Sequence, residues 1–141
     1  MPIVFHALEP VILKQRRLLK KFIIQLFIKE KKSLQSIDII FCSDEYLLEI
    51  NKQHLQHDFY TDIITFDLSE SLANPIIGEL YISIDRVKDN AALRDEKFST
   101  ELLRVILHGL LHLCGFKDKT KSDIKTMREK EDEYLGLYNN S

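Results

Sequence analysis

Apolar residues along this chain recur at two periods, and the switches between them lay out its elements. Residues 2–8, PIVFHAL, are short, branched and aromatic, and Glu9-Pro10 punctuates them, so they read as a strand. From Pro10, which fits a first helical turn, to about Lys31, the set Ile12, Leu19, Phe22, Ile23, Leu26 and Phe27 keeps helical spacing. Lys14, Arg17 and Lys21 mark the opposite side, so an amphipathic helix is predicted. IDIIFCS at 37–43 gives a second strand, and Ser43 with Asp44 and Glu45 starts a short helix to about Gln53. A loop follows. TDIITFDL at 61–68 and IIGELYISI at 76–84 read as a strand pair joined by a polar loop containing Asn74-Pro75.

The rest of the chain reads as helical. Asp85 to Arg94 forms one helix, and Ser99 with Glu101 starts the next, whose apolar positions include Leu102, Leu103, Val105, Ile106, Leu107 and Leu110. Thr120 and Asp123 fit a capping box for a final charged helix to about Leu137, with Ile124, Met127 and Leu135 on its apolar side. Disorder is expected only at the tail, Tyr138 to Ser141.

Composition narrows the class. At 141 residues, 45% hydrophobic and 30% charged, the chain fits one globular domain, 1–141. No stretch reaches the roughly 20 apolar residues of a membrane span, and MPIVFHALEP lacks the pattern of a signal peptide. Cys42 and Cys114 are far apart and form no C-x-x-C pair, so both are expected to be buried thiols in a reducing, cytoplasmic setting. The net charge of −2 hides a basic run. Residues 14–32 carry Lys14, Arg16, Arg17, Lys20, Lys21, Lys29, Lys31 and Lys32 against Glu30 alone. Such a segment either meets a polyanion or is the solvated face of its helix.

The chemistry concentrates at His108, His112, Gly115 and Asp118, spaced H-x3-H-x2-G-x2-D. Residues i and i+4 share a helical face, so both imidazoles can address one ion, and a glycine turn brings Asp118 back as third ligand. Three protein ligands leave a position open for water, the arrangement of catalytic zinc, although nickel and manganese also accept these donors. Metallopeptidase helices place Glu directly after the first histidine, whereas this chain has Gly109 there, which disfavours that reaction. Cys114 falls on the opposite helical side and reads as core.

With these residues in view, the chain resembles the YbeY family of bacterial metal-dependent endoribonucleases. Asn51 leading to TDIITF at 61–66, GELYIS at 78–83 and HGLLHLCGFKD at 108–118 carry the likeness. The resemblance implies an α+β fold with a small mixed four-stranded sheet, about five helices and the metal motif on a central helix. It implies one zinc per chain held by His108, His112 and Asp118, and cleavage of single-stranded RNA, as rRNA and ribosomal particles, in 16S rRNA 3′-end maturation and ribosome quality control; a monomer without membrane contact is expected. Asp62 and Glu79 are then the candidate catalytic groups, and Lys14, Arg17, Lys20 and Lys21 the RNA-binding surface. Thr61 and Asp62 otherwise simply open a strand, Glu79 is otherwise a solvent-facing strand carboxylate, and His54 and His57 are local turn residues or substrate contacts. Two departures stand out. The family commonly has histidine where this chain has Asp118, and arginine where it has Leu55, with Lys52 as the neighbouring cation. Leu55 favours an alternative: a ribosome-associated assembly factor whose metal is mainly structural.

Overall fold

The computed structural model describes residues 2–56, 60–71 and 74–140, which form an α+β fold. Strand β1 (Ile3–Ala7) leads to helix α1 (Arg16–Lys29), β2 (Leu34–Cys42) and α2 (Asp44–Leu55). Strands β3 (Ile63–Asp67) and β4 (Ile76–Ser83) precede α3 (Ile84–Leu93), α4 (Phe98–Leu113) and α5 (Lys121–Asn139). The sheet order is β1-β2-β4-β3. The first three strands run parallel and β3 is antiparallel to β4. Parallel strands are covered on both faces, which is why the end of β2, Ile39 to Cys42, is continuously apolar; Ile37, Ile39, Phe41 and Cys42 are all fully buried.

The two faces have unequal cover. α1, α4 and α5 contribute to the main core on one face, while Leu47 of α2 packs with Cys42 and Ile64 on the other. α4 is the central helix. Its starting residue Lys97 makes no side-chain cap, so packing rather than capping fixes it. Ile106, Leu107, Leu110 and Leu111 are each 0% exposed, and each fully buried aliphatic side chain contributes about 1.5–3 kcal/mol. Gly109 lets the helix approach the sheet closely. A Cβ there would meet Leu80 and Ile63 side-chain carbons at 2.7 Å.

Several boundaries differ from the sequence reading. α1 begins at Arg16 rather than Pro10, after Gln15 in a left-handed conformation (φ 55°). Val11 and Leu13 pack on the core while Ile12 between them is 78% exposed, so this apolar run follows an extended, period-two pattern that helical counting misreads. β2 begins at Leu34, three residues early, and α3 and α4 each start one residue earlier than expected. The expected disorder at the tail is also corrected. Tyr138 and Asn139 complete α5, with the Tyr138 ring edge-on to Phe22 at 5.1 Å. Both cysteines are free and buried, and no helix among the described residues is long and apolar enough to cross a membrane.

Candidate metal centre

The end of α4 builds this site by local rules. His108 and His112 lie one turn apart, and Gly115 then takes φ +104°, a left-handed conformation that glycine adopts without strain. The Gly115 N–H donates to the His112 carbonyl (2.9 Å) and the Phe116 N–H to the Leu111 carbonyl (3.0 Å), closing the helix with a Schellman turn. This reversal carries Asp118 back over the histidines.

Three donor atoms converge there. His108 Nε2 and His112 Nε2 are 3.0 Å apart, and each lies 3.2 Å from Asp118 Oδ2. A tetrahedral ion with bonds of about 2.0–2.1 Å separates its ligands by about 3.3 Å, so the triangle fits a divalent metal with little adjustment. His108 is oriented from behind. Its Nδ1–H donates to Glu131 Oε2 of α5 at 2.7 Å, which leaves the Nε2 lone pair facing the centre. Burial, the largest influence, lowers the His108 pKa, but the hydrogen bond and charge of Glu131, with Asp118 and Asp62, hold it above the usual histidine value. Surrounding carboxylates therefore favour a cation.

Arginines balance the buried carboxylates. Arg104 reaches Glu131 at 3.2 Å and Asp132 at 2.9 Å, and Arg94 reaches the buried Glu101 at 3.0 Å. These residues, Asp132 apart, line a cleft of about 310 Å³ with Asp62, His108 and Asp118. A second cleft of about 540 Å³ opens along β3, lined by Asn51, Leu55, Thr61, Asp62, His112 and Asp118 among others. Asp62 thus stands at the wall of both, its carboxylate accepting from Asn90 Nδ2 at 3.3 Å.

Not every expected site residue comes here. Along β4, Gly78 and Leu80 face α4, so Glu79 points to the other side of the sheet, where it accepts from Tyr81 Oη at 3.2 Å. His54 stacks edge-on to Phe66 on that side, and both line the same cleft as Glu79. His57 lies outside the described residues. Lys14 lines a groove with Phe98, Ser99 and Thr100 at the start of α4, about 20 Å along the helix from His112. Lys20 lies over the Phe5 ring of the edge strand β1. Lys14 and Lys20 are therefore away from the metal centre, and none of Lys14, Arg17, Lys20 and Lys21 lines either of its two clefts. Lys52 lies 3.9 Å from Glu49.

Glu131 is the residue that sequence reading missed. Met127, Glu131, Tyr134 and Leu135 form one buried stripe on α5, and a carboxylate in such a stripe requires a buried partner. That polar interruption is the signal that was available.

The comparisons with known proteins agree with this construction. The family model described as Endoribonuclease YbeY matches residues 10–139. A relative named Endoribonuclease YbeY from Cytophaga hutchinsonii is 52% identical, covering 89% of this chain and 87% of that one. One from Christiangramia forsetii is 42% identical, covering 95% and 92%. The solution structure of TM1509 from Thermotoga maritima superposes with a TM-score of 0.61 at 30% identity, covering 96% of this chain and 88% of that chain. With nearly the whole length matched and relatives near half identity, this chain belongs to the YbeY family.

Proposed function

We propose that the chain is a zinc-dependent endoribonuclease that hydrolyses single-stranded RNA, with 16S rRNA 3′-end maturation and ribosome quality control in the cytoplasm as its setting. The observation that carries this reading is the triangle of His108 Nε2, His112 Nε2 and Asp118 Oδ2, with 3.0–3.2 Å edges, bordered by two clefts. Relatives named endoribonucleases supply the reaction class.

A divalent cation held here would supply Lewis acidity toward a phosphate oxygen and toward water. The protein's own groups do the rest. His108, His112 and Asp118 would hold the ion, and Glu131 keeps the His108 ring in the tautomer that presents Nε2. Asp62, shared by both clefts, accepts the proton of the attacking water and returns it to the leaving oxygen as the P–O ester bond breaks. Arg104 offsets the negative charge of Glu131 behind the ligands.

His112→Ala tests the reading: it should abolish both stoichiometric zinc and RNA cleavage, and an unchanged cleavage rate would sink it. One observation favours a second reading. Leu55, not a cation, lines the cleft beside Asp62 and His112, as suits a ribosome-associated assembly factor with a mainly structural metal. Normal rRNA maturation by Asp118→Ala in cells, alongside binding of the pure protein to ribosomal particles, would select that alternative.

A further inference from the structure

The basic run of the sequence is divided by the fold. α1 lies alongside α4 in the same direction: Lys14, just before α1, shares a groove with Phe98 and Ser99 at the start of α4. Lys31 and Lys32, just after α1, share a cleft of about 480 Å³ with His112, Cys114 and Gly115 at its end. The fourteen residues of α1 span about 21 Å, so the first lysines of the run are carried away from the metal centre and the last two are delivered to its His112 side.

The corner that delivers them is a left-handed helix end, as at Asp95 after α3. The Lys31 N–H donates to the Ile28 carbonyl (3.0 Å) and the Lys32 N–H to the Phe27 carbonyl (2.9 Å), a Schellman turn whose left-handed position glycine ordinarily fills. Lys31 occupies it at φ +59°. Across the centre, Arg128 of α5 lines the cleft of His108 and Asp118. Arg94 and Arg104 in that cleft are tied to Glu101 and Glu131. Arg128, Lys31 and Lys32 are exposed, and among the described residues none of the three has an ion-pair partner.

We propose that these three cations hold the RNA backbone on the two sides of the scissile phosphate, Lys31 and Lys32 on the His112 side and Arg128 on the His108 side. A single strand then crosses the metal centre between them. The inference rests on the endoribonuclease reading and specifies where that substrate lies. Phosphate pairing of this kind is independent of base identity and sensitive to salt.

The test is binding of a fluorescent single-stranded oligouridylate of about twelve nucleotides to the metal-free protein, by anisotropy across a salt series. Removing one cation from its phosphate lowers the slope of log K against log salt by about 0.7, so Lys31→Gly/Lys32→Ala/Arg128→Ala should lower it by about 2. Glycine suits the Lys31 backbone, so that change removes charge without adding strain. Arg128→Lys should retain the slope of its position. An unaltered slope in the triple variant overturns the proposal, as does an equal or greater fall in Lys14→Ala/Arg17→Ala/Lys20→Ala/Lys21→Ala. Failure of the unmutated protein to bind the oligonucleotide would instead overturn the RNA reading, and this track with it.

Discussion

Glu131 accepts a 2.7 Å hydrogen bond from His108 Nδ1, joining α4 and α5 through residues twenty-three apart in sequence and fixing which ring nitrogen faces the metal centre. Partners of this kind raise the basicity of the ligand and hold its ring, and without them metal affinity falls by about 10- to 100-fold. Glu131→Ala should weaken zinc binding by that amount in a competition titration. Arg104 keeps its 2.9 Å contact with Asp132, so the variant should remain folded by circular dichroism.

Asp118 brings a negative charge to a cluster whose other two donors are neutral when they bind metal. Its Oδ2 lies 3.2 Å from both Nε2 atoms, so the side chain needs only its oxygen in place and its charge. Asp118→Asn keeps the shape and removes the charge, and should lower zinc affinity at least about tenfold. Asp118→His restores a good zinc donor and should recover most of it. Thermal shift with and without added zinc reads both: the unmutated protein and Asp118→His gain Tm on addition, and Asp118→Asn gains less. Equal gains in all three would show that Asp118 is not a ligand.

Gly109, which excludes the peptidase pattern, has a packing reason as well. A methyl group there would meet Leu80 Cδ2 and Ile63 Cδ1 at 2.7 Å, inside a core where Leu80 is 0% exposed. Overpacking of this kind costs about 1–3 kcal/mol, against roughly 1 kcal/mol gained from alanine's higher helix propensity. Gly109→Ala should therefore lower stability in urea unfolding, and a more stable variant would show that the sheet yields easily.

The cluster of His108, His112 and Asp118 was legible because its geometry is local: i, i+4 spacing and one glycine turn bring the three together without reference to the rest of the fold. Glu131 was not, because its role depends on where α5 crosses α4. The basic run was legible as charge but not as a surface. Where each lysine falls depends on α1 starting at Arg16 and lying alongside α4, and neither follows from periodicity in a segment whose first apolar residues are extended. Glu79 was placed in a strand as expected, but which face it takes is a matter of register against β2 and β3.

Cys114, two residues beyond His112, gives a last test of how the centre is closed. It lies outside the donor cluster, buried at 6% exposure. Burial, with a smaller contribution from Glu30, pushes its thiol up to about 12 despite Lys32, and burial likewise pushes Cys42 to about 12. A thiol that is neutral and shielded at pH 8 neither attacks disulfide reagents nor binds metal as thiolate. Both cysteines should resist a chromogenic disulfide reagent at pH 8 with or without zinc, and react fully on denaturation. Cys114→Ser should retain zinc affinity. The same shifts set a direction with pH: above about pH 9 the unfolded chain releases thiol protons that the folded chain retains, so the unfolded state binds fewer protons and stability declines as pH rises toward 12. Replacing both cysteines with alanine should flatten that alkaline decline in a series of urea titrations, and a decline of undiminished steepness would assign it to other groups.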